Sequence, residues 1–266
     1  MIERSAHRTV PANVEGHGAP VVEGGGAAII ERARNVLSKH GAGRNGSGIC
    51  VTLTFAQSLD GCIAACVGST TPISGKQSLT VTHGLRAIHD AILIGVNTAL
   101  VDDPQLNVRL VEGDDPRPVV VDSCLKISPD ARVFQRRDAR PIIATTRQAS
   151  ERKAARLTAA GAEVLRVPSN RDGRVDLAKL VDRLRQLGIR TLMVEGGARI
   201  ITSILSKRLA DQAVLTISPT ILGGVHAVEA LNGMAPEARP RLHHVSSFSL
   251  GGDIVVHGEF DRARCS

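Results

Sequence analysis

AILIGVNTALVDDP, residues 91–104, opens on the continuous apolar run AILIG and closes on a turn-forming Asp-Pro pair. A run this short and this apolar reads as a strand buried on both faces, as in a parallel sheet covered by helices. RPVVVD (117–122) and RPIIATT (140–146) read the same way. Upstream, ICVTLTFA (49–56) alternates as a strand does and breaks at the SLDG turn (58–61), and a helical stretch over 78–88 follows. Downstream, the patterning predicts helices over 150–160, 176–187 and 198–207, strands over 162–167, 191–194 and 211–219, and two closing strands within 246–260 around Gly251-Gly252. Repeated strand–helix–strand order predicts an α/β fold, a three-layer sandwich with a mostly parallel central sheet flanked by helices. In such sheets ligands bind beyond the carboxyl ends of the strands.

The chain has 266 residues, 42% of them hydrophobic and 22% charged, which suits a globular protein with a sizeable core. Residues 1–48 are expected to form an N-terminal arm with one helix over 27–40, either disordered or packed on a partner subunit; 49–266 form the main domain. Neither a long apolar span nor a leader-like apolar segment is found, so the expected location is cytoplasmic, with no membrane contact. The net charge is 33 − 26 = +7, and residues 147–190 hold eleven Lys/Arg against five Asp/Glu. That excess attracts any anion, phosphorylated metabolites included. With no Trp, no Tyr and four Phe, a base-stacking platform is hard to build, and no nucleic-acid partner is expected. Five irregularly spaced cysteines (50, 62, 66, 124, 265) argue against a disulfide framework and supply no zinc-like spacing, so no metal is expected.

Candidate chemistry clusters at the predicted strand ends. Asp60-Gly61 fits either a tight turn or a site. After the most apolar strand, Gly95 permits close backbone approach, Thr98 offers a hydroxyl and Asp102 an acceptor, although a helix end closed by Asp-Pro is equally natural. Glu195-Gly196-Gly197-Ala198 joins a strand to a helix, which frees backbone N–H groups for an anion beside a carboxylate. Gly223-Gly224 is a further close approach or a loop. P-loop, nucleophile-elbow and zinc-deaminase patterns are absent. His83 and His89, six apart, read as packing or surface residues rather than metal ligands.

In order, SLDG (58–61), HGLRAIHDAILIGVNTALVDDPQLNVR (83–109), RPVVVDS (117–123), VEGGA (194–198) and ISPTILGG (217–224) resemble the reductase of riboflavin biosynthesis. That family includes the C-terminal domain of the bifunctional deaminase-reductase and the stand-alone archaeal and fungal enzymes. The resemblance runs from about Ile49 to Phe260 and implies a dihydrofolate-reductase-like fold, usually a homodimer. It implies NADPH-dependent reduction of the ribosyl group of a ribosylaminopyrimidine 5′-phosphate to the ribitylamino form.

By the family pattern, NADPH contacts fall on Ala56, Thr98, Asp102, Ser123 and the turn Gly197, Ala198, Arg199, Ile200, Ile201, Thr202 and Ser203. Substrate contacts fall on Thr70, Arg86, Leu106, Arg109 and Glu195. Arg86 and Arg109 then clamp the phosphate by charge-assisted bonds. Asp102 and Glu195 are the candidate catalytic carboxylates, with Asp102 orienting the reacting atoms or relaying a proton. The basic stretch 147–190 is matched by charge to the cofactor's 2′-phosphate. Three positions depart from the pattern: Pro72 where a bulky residue is common, Asn97 where Gly is usual and Asn107 where Thr is usual. The alternatives are a paralogous NADPH reductase of another pterin or pyrimidine, such as dihydrofolate, and a non-catalytic accessory domain.

Overall fold

The computed structural model describes residues 24–39, 48–136, 139–229, 231 and 233–261. In chain order the elements are α1 (Gly25–Lys39), β1 (Cys50–Ser58), β2 (Cys62–Ala64), α2 (Lys76–Ala87), β3 (Ala91–Gly95), α3 (Val96–Asp102), β4 (Arg117–Val121), β5 (Ile142–Thr146), α4 (Glu151–Ala159), β6 (Glu163–Val167), α5 (Leu177–Gln186), β7 (Thr191–Val194), α6 (Ala198–Ser206), β8 (Gln212–Ser218), β9 (Val225–His226), β10 (Leu242–Leu250) and β11 (Asp253–Phe260). Nine strands form one sheet in the order β10-β11-β8-β1-β7-β3-β4-β5-β6. Every pairing from β8 through to β6 is parallel, whereas β11 pairs antiparallel with both β8 and β10. The expected three-layer, mostly parallel sandwich is what the chain adopts.

The apolar runs occupy the middle of the sheet because both faces are covered. Along β3, Ile92 and Ile94 point to a layer holding Ala154 and Leu157 of α4, while Leu93 points to one holding Leu180 and Leu184 of α5 and Ile201 and Ile204 of α6. Each fully buried Leu or Ile here contributes about 2 kcal/mol relative to exposure. Two of these helices are started by side-chain caps: Ser150 accepts from the Lys153 N–H and Asp176 from the Ala178 N–H.

Three features differ from the patterning. The helix inside the expected arm packs on its own chain, with Ile29 and Ala33 fully buried among Val81 and Leu85 of α2, Met193, Val214 and Val255. Its stripe Ile29-Ala33-Val36 recurs at helical spacing, which gives it an apolar face to lay on the sheet. The rest of the arm (1–23 and 40–47) and Cys265 lie outside the described residues. Second, 96–102, where the patterning assigns no helix after Gly95 and leaves open only a helix end closed by Asp-Pro, forms that short helix, with Asp103 at its C-cap. Third, β2 and β9 form a separate two-stranded sheet, pairing Cys62 with His226 and Ala64 with Val225.

Beneath α1 runs a buried polar chain. His89 Nδ1–H donates to the Leu85 carbonyl at 2.6 Å, which leaves Nε2 to accept from the Thr52 hydroxyl at 2.7 Å. Thr52 Oγ1 accepts from Gln212 Nε2 at 2.9 Å, and Gln212 Oε1 accepts from His257 Nε2–H at 2.9 Å. Burial pushes the His89 pKa down to about 4, so the ring is neutral at pH 7. On the opposite face of the antiparallel part, Leu215 and Ile217 of β8 stand beside Val256 and Ile254 of β11, with Ile254 46% exposed.

Candidate active site

The carboxyl ends of β3 and β7 lie side by side; β3 runs directly into α3, and β7 reaches α6 through Glu195-Gly196-Gly197. The Gly95 N–H donates to the Gly196 carbonyl at 3.4 Å, joining the two junctions. Gly196 and Gly197 both have positive φ (104° and 85°), backbone that L side chains rarely adopt. A Cβ on Gly197 would stand 3.0 Å from Thr98 Oγ1, and one on Gly95 would stand 3.1 Å from Ile200 Cγ1. The glycines therefore let α3 and α6 begin against each other. In helix geometry the N–H groups of Ala198 and Arg199 have no intrahelical carbonyl to reach. Of the expected turn 197–203, Ile201 is wholly in the core, Ile200 packs toward Gly95, and Thr202 Oγ1 accepts from the Glu229 N–H at 2.8 Å.

Arg86, in the last turn of α2, crosses to Glu195 at the end of β7. Its Nε and Nη2 donate to the two carboxylate oxygens at 2.6 and 2.7 Å, and Nη1 donates to the Asn107 carbonyl at 2.9 Å. The pair is largely shielded, with side-chain exposures of 11% and 14%. Burial alone would lower the Arg86 pKa, but the carboxylate against it prevails and raises it. All three guanidinium nitrogens are engaged, so Arg86 is not a free arm beside Arg109 but the mate of Glu195. Arg109 is exposed and donates from Nη1 to Asn107 Oδ1 at 3.1 Å. Burial, together with the charges of Arg86 and Arg132, lowers its pKa, and Glu195 acts in the opposite sense. A cation crowded by other cations is suited to receive an anion.

Thr70 donates its hydroxyl to Asp102 at the end of α3, which brings those two expected residues together. Leu106 has φ +55° and is 1% exposed, backbone included, so the fold encloses it, with its carbonyl accepting from Arg136 Nη1. Ala56 lies near the end of β1, next to β8. Ser123 follows β4 in a loop organised by Asp122, which is fully buried and accepts from the N–H groups of Cys124, Lys126 and Ile127. The Ser123 hydroxyl accepts from the Val175 N–H at 3.1 Å, and the Lys153 ammonium donates to the Cys124 carbonyl at 3.3 Å. These bonds draw part of the basic stretch toward the ends of β4 to β6.

SLDG and ILGG meet. Asp60 accepts from the N–H groups of Leu222 and Gly223 at 3.1 and 2.7 Å and from the Ser58 hydroxyl. The Ser58 hydroxyl and those N–H groups hold its carboxyl well below the usual range. A Cβ on Gly224 would fall 2.1 Å from the Ala64 carbonyl oxygen, so only glycine fits. Sequence reasoning missed Asp122, His83, Asp115 and Arg136 as supports of the site. Their partners are set by tertiary contact, and only Asp122, at the end of an apolar strand, carried a local signal.

The model of the RibD C-terminal domain matches residues 50–256. The chain belongs to the RibD C-terminal domain family. It is 39% identical over 212 residues to the 2,5-diamino-6-ribosylamino-4(3H)-pyrimidinone 5′-phosphate reductase of Methanothermobacter thermautotrophicus, covering 77% of this chain and 95% of that protein. A protein of the same description from Archaeoglobus fulgidus is 32% identical over 222 residues, covering 80% and 98%. Among solved structures, the Saccharomyces cerevisiae riboflavin biosynthesis reductase Rib7 superposes with a TM-score of 0.61 at 29% identity, covering 80% of this chain and 90% of that one. Acinetobacter baumannii RibD shares the fold, with a TM-score of 0.68 at 23% identity, covering 80% and 58%. Among the described residues no helix is long and apolar enough to cross a membrane, and no cluster of three or more His, Cys, Asp or Glu is arranged to hold a metal.

Proposed function

We propose that this RibD-type reductase reduces the ribosyl group of 2,5-diamino-6-ribosylamino-4(3H)-pyrimidinone 5′-phosphate, in riboflavin biosynthesis, with NADPH as reductant. The observation that carries the reading is the meeting of a glycine-built pair of helix starts with the Arg86–Glu195 pair and the outward-facing Arg109, all at the carboxyl ends of β3 and β7. The close packing of Gly197 against Thr98 sets the Thr98 hydroxyl beside the N–H groups that start α6 without an intrahelical partner, a donor set suited to a dinucleotide diphosphate. Ala56, Thr98, Ser123 and the turn from Gly197 hold the cofactor, and the basic groups around Ser123 receive its 2′-phosphate. When bound, NADPH supplies the hydride.

Arg109 takes the substrate phosphate. Glu195, neutralised by Arg86, orients the substrate by accepting hydrogen bonds, and Asp102 with Thr70 is the carboxylate left to orient the reacting atoms or relay a proton. A second copy of the chain covers the half-exposed face of Leu215, Ile217, Ile254 and Val256 to give a homodimer. The test is NADPH oxidation with the 2,5-diamino substrate and its deaminated counterpart side by side. Preferential turnover of the diamino compound is expected. Failure with both, NADPH still binding, would remove the substrate assignment and point first to Pro72.

A further inference from the structure

The strap that follows α3 is held in an unusual way. Residues 103–109 have no regular secondary structure, yet Leu106, Asn107, Val108 and Arg109 each place a backbone group on a side chain from elsewhere. Arg136 Nη1 donates to the Leu106 carbonyl and Arg86 Nη1 to the Asn107 carbonyl, both at 2.9 Å. Asp115 accepts from the Val108 N–H, and His83 Nδ1 accepts from the Arg109 N–H at 3.1 Å. Leu106 adopts left-handed backbone, φ +55°, which such external bonds help to hold against its steric cost. The last of these contacts is the one nearest the charge that faces solvent. His83 is 2% exposed, sits one turn before Arg86 on α2, and binds the backbone of Arg109 itself.

We infer that His83 is a positioning residue for the reaction: its Nδ1 lone pair fixes the peptide of Arg109 and thereby aims that guanidinium at the substrate phosphate. The inference rests on the phosphate role given to Arg109 under the proposed function. Burial, with the charges of Arg86 and Arg109, lowers the His83 pKa to about 4, so at pH 7 the ring is neutral and its Nδ1 lone pair is available. The geometry makes the role separable from mere packing. Asn in place of His83 can set its Oδ1 where Nδ1 stands and accept the same N–H, whereas Leu fills similar space and accepts nothing.

The experiment compares the unaltered enzyme with His83→Leu, His83→Asn and Arg109→Ala. Each is assayed for NADPH oxidation with the phosphorylated ribosylaminopyrimidine and with its riboside lacking the phosphate, and thermal melts confirm folding. His83→Leu is expected to raise KM for the phosphorylated substrate on the order of tenfold, the scale of weakening one charged hydrogen bond from Arg109 to the phosphate, with kcat and the riboside's kcat/KM changed less than about twofold. His83→Asn is expected to restore most of the KM. If Arg109→Ala shows the phosphate-selective loss and His83→Leu does not, the positioning role is wrong while the site reading stands. If Arg109→Ala affects both substrates alike, the phosphate assignment falls and the inference with it. Equal loss in the Leu and Asn variants likewise overturns it, because the lone pair would not matter.

Discussion

Removing one partner of the Arg86–Glu195 pair tests whether these residues act as a unit. In Glu195→Ala, Arg86 loses two charge-assisted bonds at 2.6 and 2.7 Å and keeps only the Asn107 carbonyl. Breaking a buried pair costs about 3–5 kcal/mol, and the 11% and 14% exposures admit some water, which places the expected loss at about 3 kcal/mol. Arg86→Met strands the carboxylate and costs about the same. The double change Arg86→Met with Glu195→Leu removes both charges while keeping apolar volume, and its cost is about 1–2 kcal/mol, well below the sum of the single changes. Urea denaturation followed by far-ultraviolet circular dichroism is the assay, since the chain has no Trp and no Tyr to report by fluorescence. If the single costs add up to the double within about 0.5 kcal/mol, the pair is not coupled. Arg86 would then be free to join Arg109 on the phosphate, against the geometry.

Three other outcomes are expected. Stability falls as the pH drops from 6.5 toward 4: the unfolded His89 takes up a proton near 6.5 and the folded one only near 4, so its contribution is complete above 6.5 and lost on the way down. The His89 share of that loss is about 3 kcal/mol, and His83 and His257, shifted the same way, add theirs. His89→Gln therefore lessens the slope of the urea-derived stability profile over this range without abolishing it, and an unchanged slope would mean that His89 contributes nothing. Gly197→Ala forces a side chain into backbone at φ 85° and sets its Cβ 3.0 Å from Thr98 Oγ1, so NADPH affinity drops at least about tenfold in a fluorescence titration while the fold persists. An unaltered Kd would move the nucleotide elsewhere. Ile254→Lys charges the half-exposed face and converts a dimer to a monomer in sedimentation; a parent protein that already sediments as a monomer would refute that use of the face.

The architecture was legible because burial on both faces leaves a compositional trace: AILIG, RPVVV and the run before Glu195 are strands for the same reason that they are apolar. What stayed hidden was short or distant. The helix over Val96–Asp102 spans seven residues, too few for an apolar stripe to repeat, and β2 and β9 have three and two residues. Residue types at the site were readable, but not their pairing. Arg86 finds Glu195 across 109 positions of chain, and His83, which reads as a packing residue, accepts a bond from Arg109. Thr70 and Asp102, assigned separately to substrate and cofactor, turn out to touch. Local periodicity carries no information about which distant group completes a hydrogen bond.

The position of β1 in the sheet has a consequence for synthesis. This first strand lies in the middle, and its partners come late: Cys50 is aligned with Thr191, and Thr52 with Gln212. At about 5–20 residues per second, a ribosome needs roughly 7–30 s to make the 191 − 50 = 141 residues that bring β7. Throughout that interval CVTLTFAQS has emerged with no strand of its own chain on either side. Its carboxyl-terminal neighbours must then insert from both flanks, a closure with high contact order and a slow search. Truncation before β8 would leave the same strand open along one edge, so fragments ending there are expected to be captured by chaperones or to aggregate, even though most of the helical layers are already encoded.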